Sequence, residues 1–323
     1  MNAKLFWDYL LPAAYAATMY VLQQEGAPAA GLALVDIAFL IAFLYTLTDD
    51  IERAAGDLGV HGIYNVVVVS WIAAIPQTVV AVYFTWAGLY TAAFLDSMVS
   101  TLIDAFLVTA LVRSKYLSEV RRDWPLIIIW IVATLTFGAL VAAPERIPSL
   151  PPVPFYSIWF VIGALFLPLL FSRGIPASVS FNAREAINLV IYTALIMYIA
   201  YDLGSDLATW HMTESALGTI AALIATAPDL IAALMIRLTL ARAVGEDAGS
   251  EDAIRTMFAA AIHDQISDPA LVLVLAPTAA AAAAFPHWLN VLVSMLKLTL
   301  LDRRAFYFVG LPVAIATIAL LMI

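Results

Sequence analysis

The sequence predicts an all-α polytopic membrane protein: a ten-helix inverted repeat (5+5) with one extra N-terminal helix and discontinuous helices at Pro76 and Pro228. Three observations carry this. The 323 residues are 64% hydrophobic and 12% charged, with a mean hydropathy of +0.96, far above a soluble domain. Apolar runs long enough to cross hydrocarbon, about 20 residues each, recur along the chain. Two stretches also repeat one polar pattern: Ala73-Ala74-Ile75-Pro76-Gln77 followed by Ser100 and Asp104, and Ala225-Thr226-Ala227-Pro228-Asp229 followed by Asp264 and Asp268.

In chain order the apolar segments fall near residues 5–22, 30–48, 61–87, 89–112, 124–142, 154–173, 187–203, 215–241, 253–279, 284–301 and 305–323, eleven in all. The first resembles a secretory signal in its short apolar run and the small residues of Leu11-Pro12-Ala13-Ala14-Tyr15-Ala16-Ala17. Asp8 and a weak basic region argue for a retained helix, residues 1–24. The other ten divide around a polar stretch, giving a first repeat at 30–173, a cytoplasmic linker at 174–186 and a second repeat at 187–323. Pro76 falls in the third segment and Pro228 in the eighth, an odd number of steps apart, so the two proline segments run in opposite senses, the architecture that puts substrate sites at the bilayer midplane.

Basic residues are retained on the cytoplasmic side of a membrane. With a cytoplasmic N-terminus, Lys4, Arg53, Arg113, Lys115, Arg121, Arg122, Arg173, Arg184, Arg237, Arg242, Arg255, Lys297, Arg303 and Arg304 all fall inside, and Arg146 alone faces out. The expected location is the cell membrane, with the C-terminus outside and lipid and inorganic cations as partners. Many acids lie within apolar segments, so the net charge of −9 signals no nucleic-acid partner. Thr48 to Val60, Arg113 to Asp123 and the region from Arg242 to Arg255 are the expected polar loops. Without cysteine there is no disulfide or thiolate chemistry.

A proline inside a helix frees the carbonyl four residues earlier, here those of Ile72 and Ile224, with Gln265 freed in the same way by Pro269. Asp96, Asp104, Asp229, Asp264 and Asp268 fall within apolar spans. An uncompensated Asp near the bilayer centre costs about 2.5–3.5 kcal/mol, and a whole protein is stable by only about 5–15 kcal/mol. No basic residue is expected at matching depth, so a metal ion, sodium or protons must supply the positive charge. For Asp96, near the start of its segment, a helix-end position close to water is equally open. Carboxylates, the Ser100 and Thr226 hydroxyls, and the Gln77 and Gln265 amides are hard oxygen donors suited to calcium, magnesium, manganese or sodium. Helical spacing puts Ser100 with Asp104, and Asp264 with Asp268, on one face each. His263 is expected to be a hydrogen-bonding packing residue, and His61, His211 and His287 are expected at helix ends.

These residues resemble the sodium/calcium exchanger (cation/calcium antiporter) superfamily. Asp57-Leu58-Gly59-Val60-His61 through Pro76-Gln77 is similar to its first repeat, which ends in Gly-Thr-Ser-x-Pro-Glu. Met212-Thr213-Glu214-Ser215-Ala216-Leu217-Gly218-Thr219-Ile220 through Pro228-Asp229 is similar to its second. The downstream Gly-Ser-Asn-x-x-Asn/Asp motif is matched by Val99 to Asp104 and, more loosely, by His263 to Asp268. The resemblance implies central ligands at Asp104, Asp229 and Asp268, with Gln77 where the first glutamate stands and Ser100, Thr226 and Asp264 as secondary ligands. It implies secondary active antiport of Ca2+ or another divalent cation against Na+ or H+, with no cofactor and no enzyme activity. Gln77 is neutral, and Ala73 and Ala74 lack the hydroxyls of the pattern, while Asp104 and Asp264 add carboxylates.

Two other classes remain. An intramembrane aspartyl protease needs two aspartates facing each other at depth, whereas Asp202 and Asp206 sit at a helix exit without the Gly-x-Gly-Asp pattern. A degenerate subunit or anchor would keep the fold and leave its buried acids without a use.

Overall fold

The computed structural model describes residues 10–57, 67, 70–111, 124–142, 151–171, 183–227, 246–281, 284–299 and 302–321. Every regular element among them is helical. They comprise α1 (Leu11–Gln24), α2 (Ala29–Asp57), α3 (Ser70–Trp86), α4 (Tyr90–Leu111), α5 (Trp124–Ala142), α6 (Pro152–Phe171), α7 (Ala183–Ala208), α8 (Glu214–Ala225), α9 (Glu246–Ile262), α10 (Asp268–Leu275), α11 (Ala284–Thr299) and α12 (Leu311–Leu321). A π-helical turn, His263–Ser267, joins α9 to α10. Among the described residues, Trp124–Ala142, Pro152–Phe171, Val190–Ala208 and Ile254–Leu275 are long and apolar enough to cross a membrane, and Ala29–Phe43, Glu214–Ala225 and Tyr307–Leu321 are shorter apolar helices. The Ile254–Leu275 span is 83% buried against 28–39% for the other three, which makes it the central helix. Val190, Tyr198, Leu34, Phe308 and Leu320 are exposed, the surface expected where lipid takes the place of water.

Helix directions follow from the contacts at helix ends. Gly88 (φ 77°) turns α3 sharply into α4, with the Leu89 amide donating to the Phe84 carbonyl at 2.8 Å, the arrangement that a glycine just past a helix end permits. The backbone N–H of Thr91, in the first turn of α4, donates to Glu214 Oε2 at 2.9 Å. That bond satisfies one of the donors a helix start leaves open and sets the N-termini of α4 and α8 side by side. Since α4 runs parallel to α8 and antiparallel to α3, helices α3 and α8 run in opposite senses, as the repeat predicts. The α4–α8 contact is very close, because a Cβ on Gly218 would lie 2.5 Å from the Ala92 carbonyl oxygen.

α1 packs into the body of the protein. Leu11, Tyr15 and Met19 are buried with Leu40 and Phe43 of α2 and Tyr192, Ile196 and Ile199 of α7, and the Tyr15 hydroxyl donates to Asp36 Oδ1 at 2.8 Å.

Three expectations need correction. The expected loop from Thr48 to Val60 is helical as far as Asp57, because its charged residues are compatible with a helix leaving the apolar layer and the first breaker is Gly56. The region from Arg242 to Arg255 is likewise helical from Glu246 onward. The interruption expected at Pro76 is milder than predicted, since α3 stays helical from Ser70 to Trp86. Val67 is already helical ahead of it, and α3 continues past Pro76 to Trp86. α8 runs to Ala225, with Thr226 as its cap. Pro228 and Asp229, the loop from Arg113 to Asp123 and most of the linker at 174–186 lie outside the described residues.

Candidate cation site

Gln77, Asp96, Ser100, Asp104, Thr226, Asp264 and Asp268 are all buried. The two halves meet through reciprocal contacts. Ser100 of the first half lies 2.7 Å from Thr226 of the second, hydroxyl to hydroxyl. Thr78, on the first proline helix, donates to Asp268 Oδ1 of the second half at 2.8 Å. Each proline segment therefore touches the acid-bearing helix of the opposite half. Thr226 also donates to the Ala222 carbonyl at 2.6 Å, using its own helix backbone to fix the rotamer.

Gln77 bridges α3 and α4. Its Oε1 accepts from Ser100 Oγ at 2.8 Å and its Nε2 donates to the Asp96 carbonyl at 3.3 Å. Asp96 corrects the helix-end alternative: it lies in the second turn of α4 and is 0% exposed. The i, i+4 rule applied backward from Ser100 and Asp104 would have placed Asp96 on the same face. Neither Asp96 carboxylate oxygen has a hydrogen-bond partner among the described residues, and neither does Asp268 Oδ2. Asp96 and Asp268 sit on elements that pack together, the first tied to α3 at Gln77 and the second at Thr78.

The π turn sets the register of the second acid helix. Pro269 has no N–H, and the Asp268 amide donates five residues back to the His263 carbonyl. Such turns insert one residue into a helix and recur at functional sites. Here the turn precedes Asp268 directly, so its side chain leaves the helix at an angle that regular winding from Asp264 would not give. A neighbouring π turn, Ile162–Phe166 within α6, packs against this one. The contact depends on Gly163, where a Cβ would lie 2.8 Å from both Ile266 Cβ and the Ser267 nitrogen. His263 stacks on Trp71 with ring centroids 4.9 Å apart and lies 3.5 Å from the Ser70 and Ser267 hydroxyls.

Among the described residues, no three His, Asp or Glu side chains converge closely enough to hold a metal ion as a ready cluster. The structure gathers Gln77, Ser100 and Thr226 into one hydrogen-bonded group and joins Asp268 to the first half through Thr78. Asp104 and Asp264 are buried on the same two acid helices. Asp229 lies outside the described residues.

Lys297 overturns the expectation that no basic residue lies at depth. Although it falls in the last turn of α11, it is 0% exposed, donates to Gln265 Oε1 and sits 3.6 Å above the centroid of the Trp130 ring. Thr134 shares the Gln265 oxygen at 3.5 Å. The stacked face of Trp130 gives the ammonium a place that the sequence does not advertise. Arg255 is also buried, donating to the Phe171 carbonyl at 3.2 Å. A cation–π contact is worth about 0.5–2 kcal/mol, whereas desolvating an ammonium costs several kcal/mol. Lys297→Met should therefore leave Tm unchanged or raise it, measured by thermal unfolding of the purified protein in detergent.

Asp202 and Asp206 occupy one helix, α7, within its last two turns, and do not face each other from two helices as a protease dyad would.

No family model and no curated protein matches the chain. A crystal structure of an H+/Ca2+ exchanger, CAX, is similar with a TM-score of 0.63 at 13% identity, covering 99% of this chain and 92% of that one. The chain thus has the all-α fold of that exchanger.

Proposed function

We propose that the protein is a secondary active cation antiporter that exchanges Ca2+, or another divalent cation, against H+ or Na+ by alternating access at a midplane carboxylate site. The observation that carries this reading is the reciprocal contact between halves, Ser100 with Thr226 and Thr78 with Asp268. It brings hard oxygen donors from both repeats to one buried seam, where rocking of one half against the other would open them to alternate sides. Asp268, Asp104 and Asp229 act as central ligands, and Ser100, Thr226, Asp264 and Gln77 complete or support the site. The likeness to an H+/Ca2+ exchanger supports calcium as cargo. Protons are the preferred coupling ion, because Ala73 and Ala74 leave the first half without the hydroxyls that a sodium site would use. The N-terminus lies on the cytoplasmic side and the C-terminus outside, with the repeats at 30–173 and 187–323.

Calcium uptake into proteoliposomes tests this. An outward proton gradient of one pH unit supplies about 1.4 kcal/mol per proton and should drive uptake above the gradient-free level, with a sodium gradient as the comparison. Absence of flux for calcium, manganese and magnesium under every gradient would sink the reading and favour a non-transporting subunit or anchor.

A further inference from the structure

We propose that Asp96 carries the first half's negative charge at the cation site, and that Gln77 is the strut that positions it. This rests on the transport reading above and adds a residue to its site. Gln77 is already engaged on both sides of its amide: the oxygen accepts from Ser100 and the nitrogen donates to the backbone of Asp96 itself. A cation at Gln77 would have to share that oxygen with the Ser100 proton. The same pair of bonds ties α3 to the α4 turn that bears Asp96 and fixes how that turn faces the seam.

Asp96 has the complementary character. It is 0% exposed, both carboxylate oxygens lack a partner among the described residues, and its helix packs against the element that bears Asp268 of the other half. A buried carboxylate in that state is strongly disfavoured unless a positive charge joins it. Asp268 is half-satisfied in turn, with Oδ1 held by Thr78 and Oδ2 without a partner among the described residues. Two buried carboxylates, one from each repeat, are thus tied to adjacent residues of α3, Gln77 and Thr78, with three oxygens unpartnered among the described residues. The polar column on α4, Asp96, Ser100 and Asp104 at successive i, i+4 positions, lies along the seam. A hard divalent cation is the ligand class that two buried carboxylates with neighbouring hydroxyls would take.

The test measures the Ca2+- and Mn2+-dependent rise in Tm of the full chain in detergent, for wild type, Asp96→Asn, Asp96→Glu and the double variant Asp96→Asn with Gln77→Glu. Asp96→Asn should weaken apparent cation affinity by at least about tenfold, or ~1.4 kcal/mol, while its cation-free Tm stays level or rises because a buried charge has gone. Asp96→Glu should retain binding, and the double variant should recover part of it by returning a carboxylate to the same seam. Asp96→Asn binding within about twofold of wild type, beside a responding wild type, overturns this inference and leaves the transport reading standing. A cation-free Tm that falls for Asp96→Asn but not for Asp96→Glu, with affinity unchanged, assigns Asp96 a structural role and also overturns it. A wild type that responds to neither cation removes both readings together.

Discussion

Asp268→Asn should abolish cation-driven transport while leaving the fold intact. Asparagine matches aspartate in size, and its carbonyl oxygen can still accept the Thr78 hydroxyl that meets Oδ1 at 2.8 Å. The backbone of the π turn is unaffected, because the Asp268 bond to the His263 carbonyl uses the main-chain amide. The substitution removes charge alone. At low effective dielectric a carboxylate–cation contact is worth several kcal/mol, so flux in proteoliposomes should fall on the order of a hundredfold or more. The cation-free Tm should hold or rise, since the variant no longer buries a carboxylate there. Flux within about twofold of wild type would remove Asp268 from the site.

The second large effect is expected at Gly218. A methyl group there would lie 2.5 Å from the Ala92 carbonyl oxygen and 2.9 Å from its Cα, both backbone atoms of α4 that cannot rotate aside. Gly218→Ala must therefore push α8 and α4 apart, a form of overpacking that costs about 1–3 kcal/mol or more. The movement also acts on the seam, because α4 carries Asp96, Ser100 and Asp104 and the Ser100–Thr226 contact spans these two elements at 2.7 Å. Tm and transport should fall together. Gly204→Ala is the control: its Cβ would meet Tyr83 Cβ and Cγ at 3.2 Å, a far milder approach than the 2.5 Å at Gly218, so a smaller loss of Tm with near-normal flux is expected. Equal losses in the two variants would show that helix approach at Gly218 has no special bearing on the site.

Much of this architecture was legible in the sequence because membranes impose length and hydropathy on every spanning element. The doubled proline pattern gave the inversion, and the end-to-end contacts of α3, α4 and α8 agree with it. Polarity was a poorer guide to element ends: the charged residues after Thr48 and before Arg255 look like loops, yet the helices run through them. Helix formation depends on backbone compatibility, and polar side chains satisfy it as well as apolar ones once the helix reaches water.

Residue type and i, i+4 spacing singled out Ser100, Asp104, Asp264 and Asp268, since those depend on one helix alone. Spacing within a helix could not tell which oxygens are already occupied. That Gln77 is bound on both sides, while neither Asp96 carboxylate oxygen has a partner among the described residues, depends on how α3 lies against α4. Thr78 escaped notice because its partner is 190 residues away. Lys297 was misjudged because its depth is set by the Trp130 face and the Gln265 amide, both on other helices.

The sequence by itself determined the membrane class, the helical repeat with its inversion and the stock of hard oxygen donors, because each is a property of local composition and period. Only the tertiary structure decided which donors share a seam and which carboxylate oxygens are left unpartnered among the described residues. Those facts arise from the approach of helices distant in sequence, which no local pattern encodes.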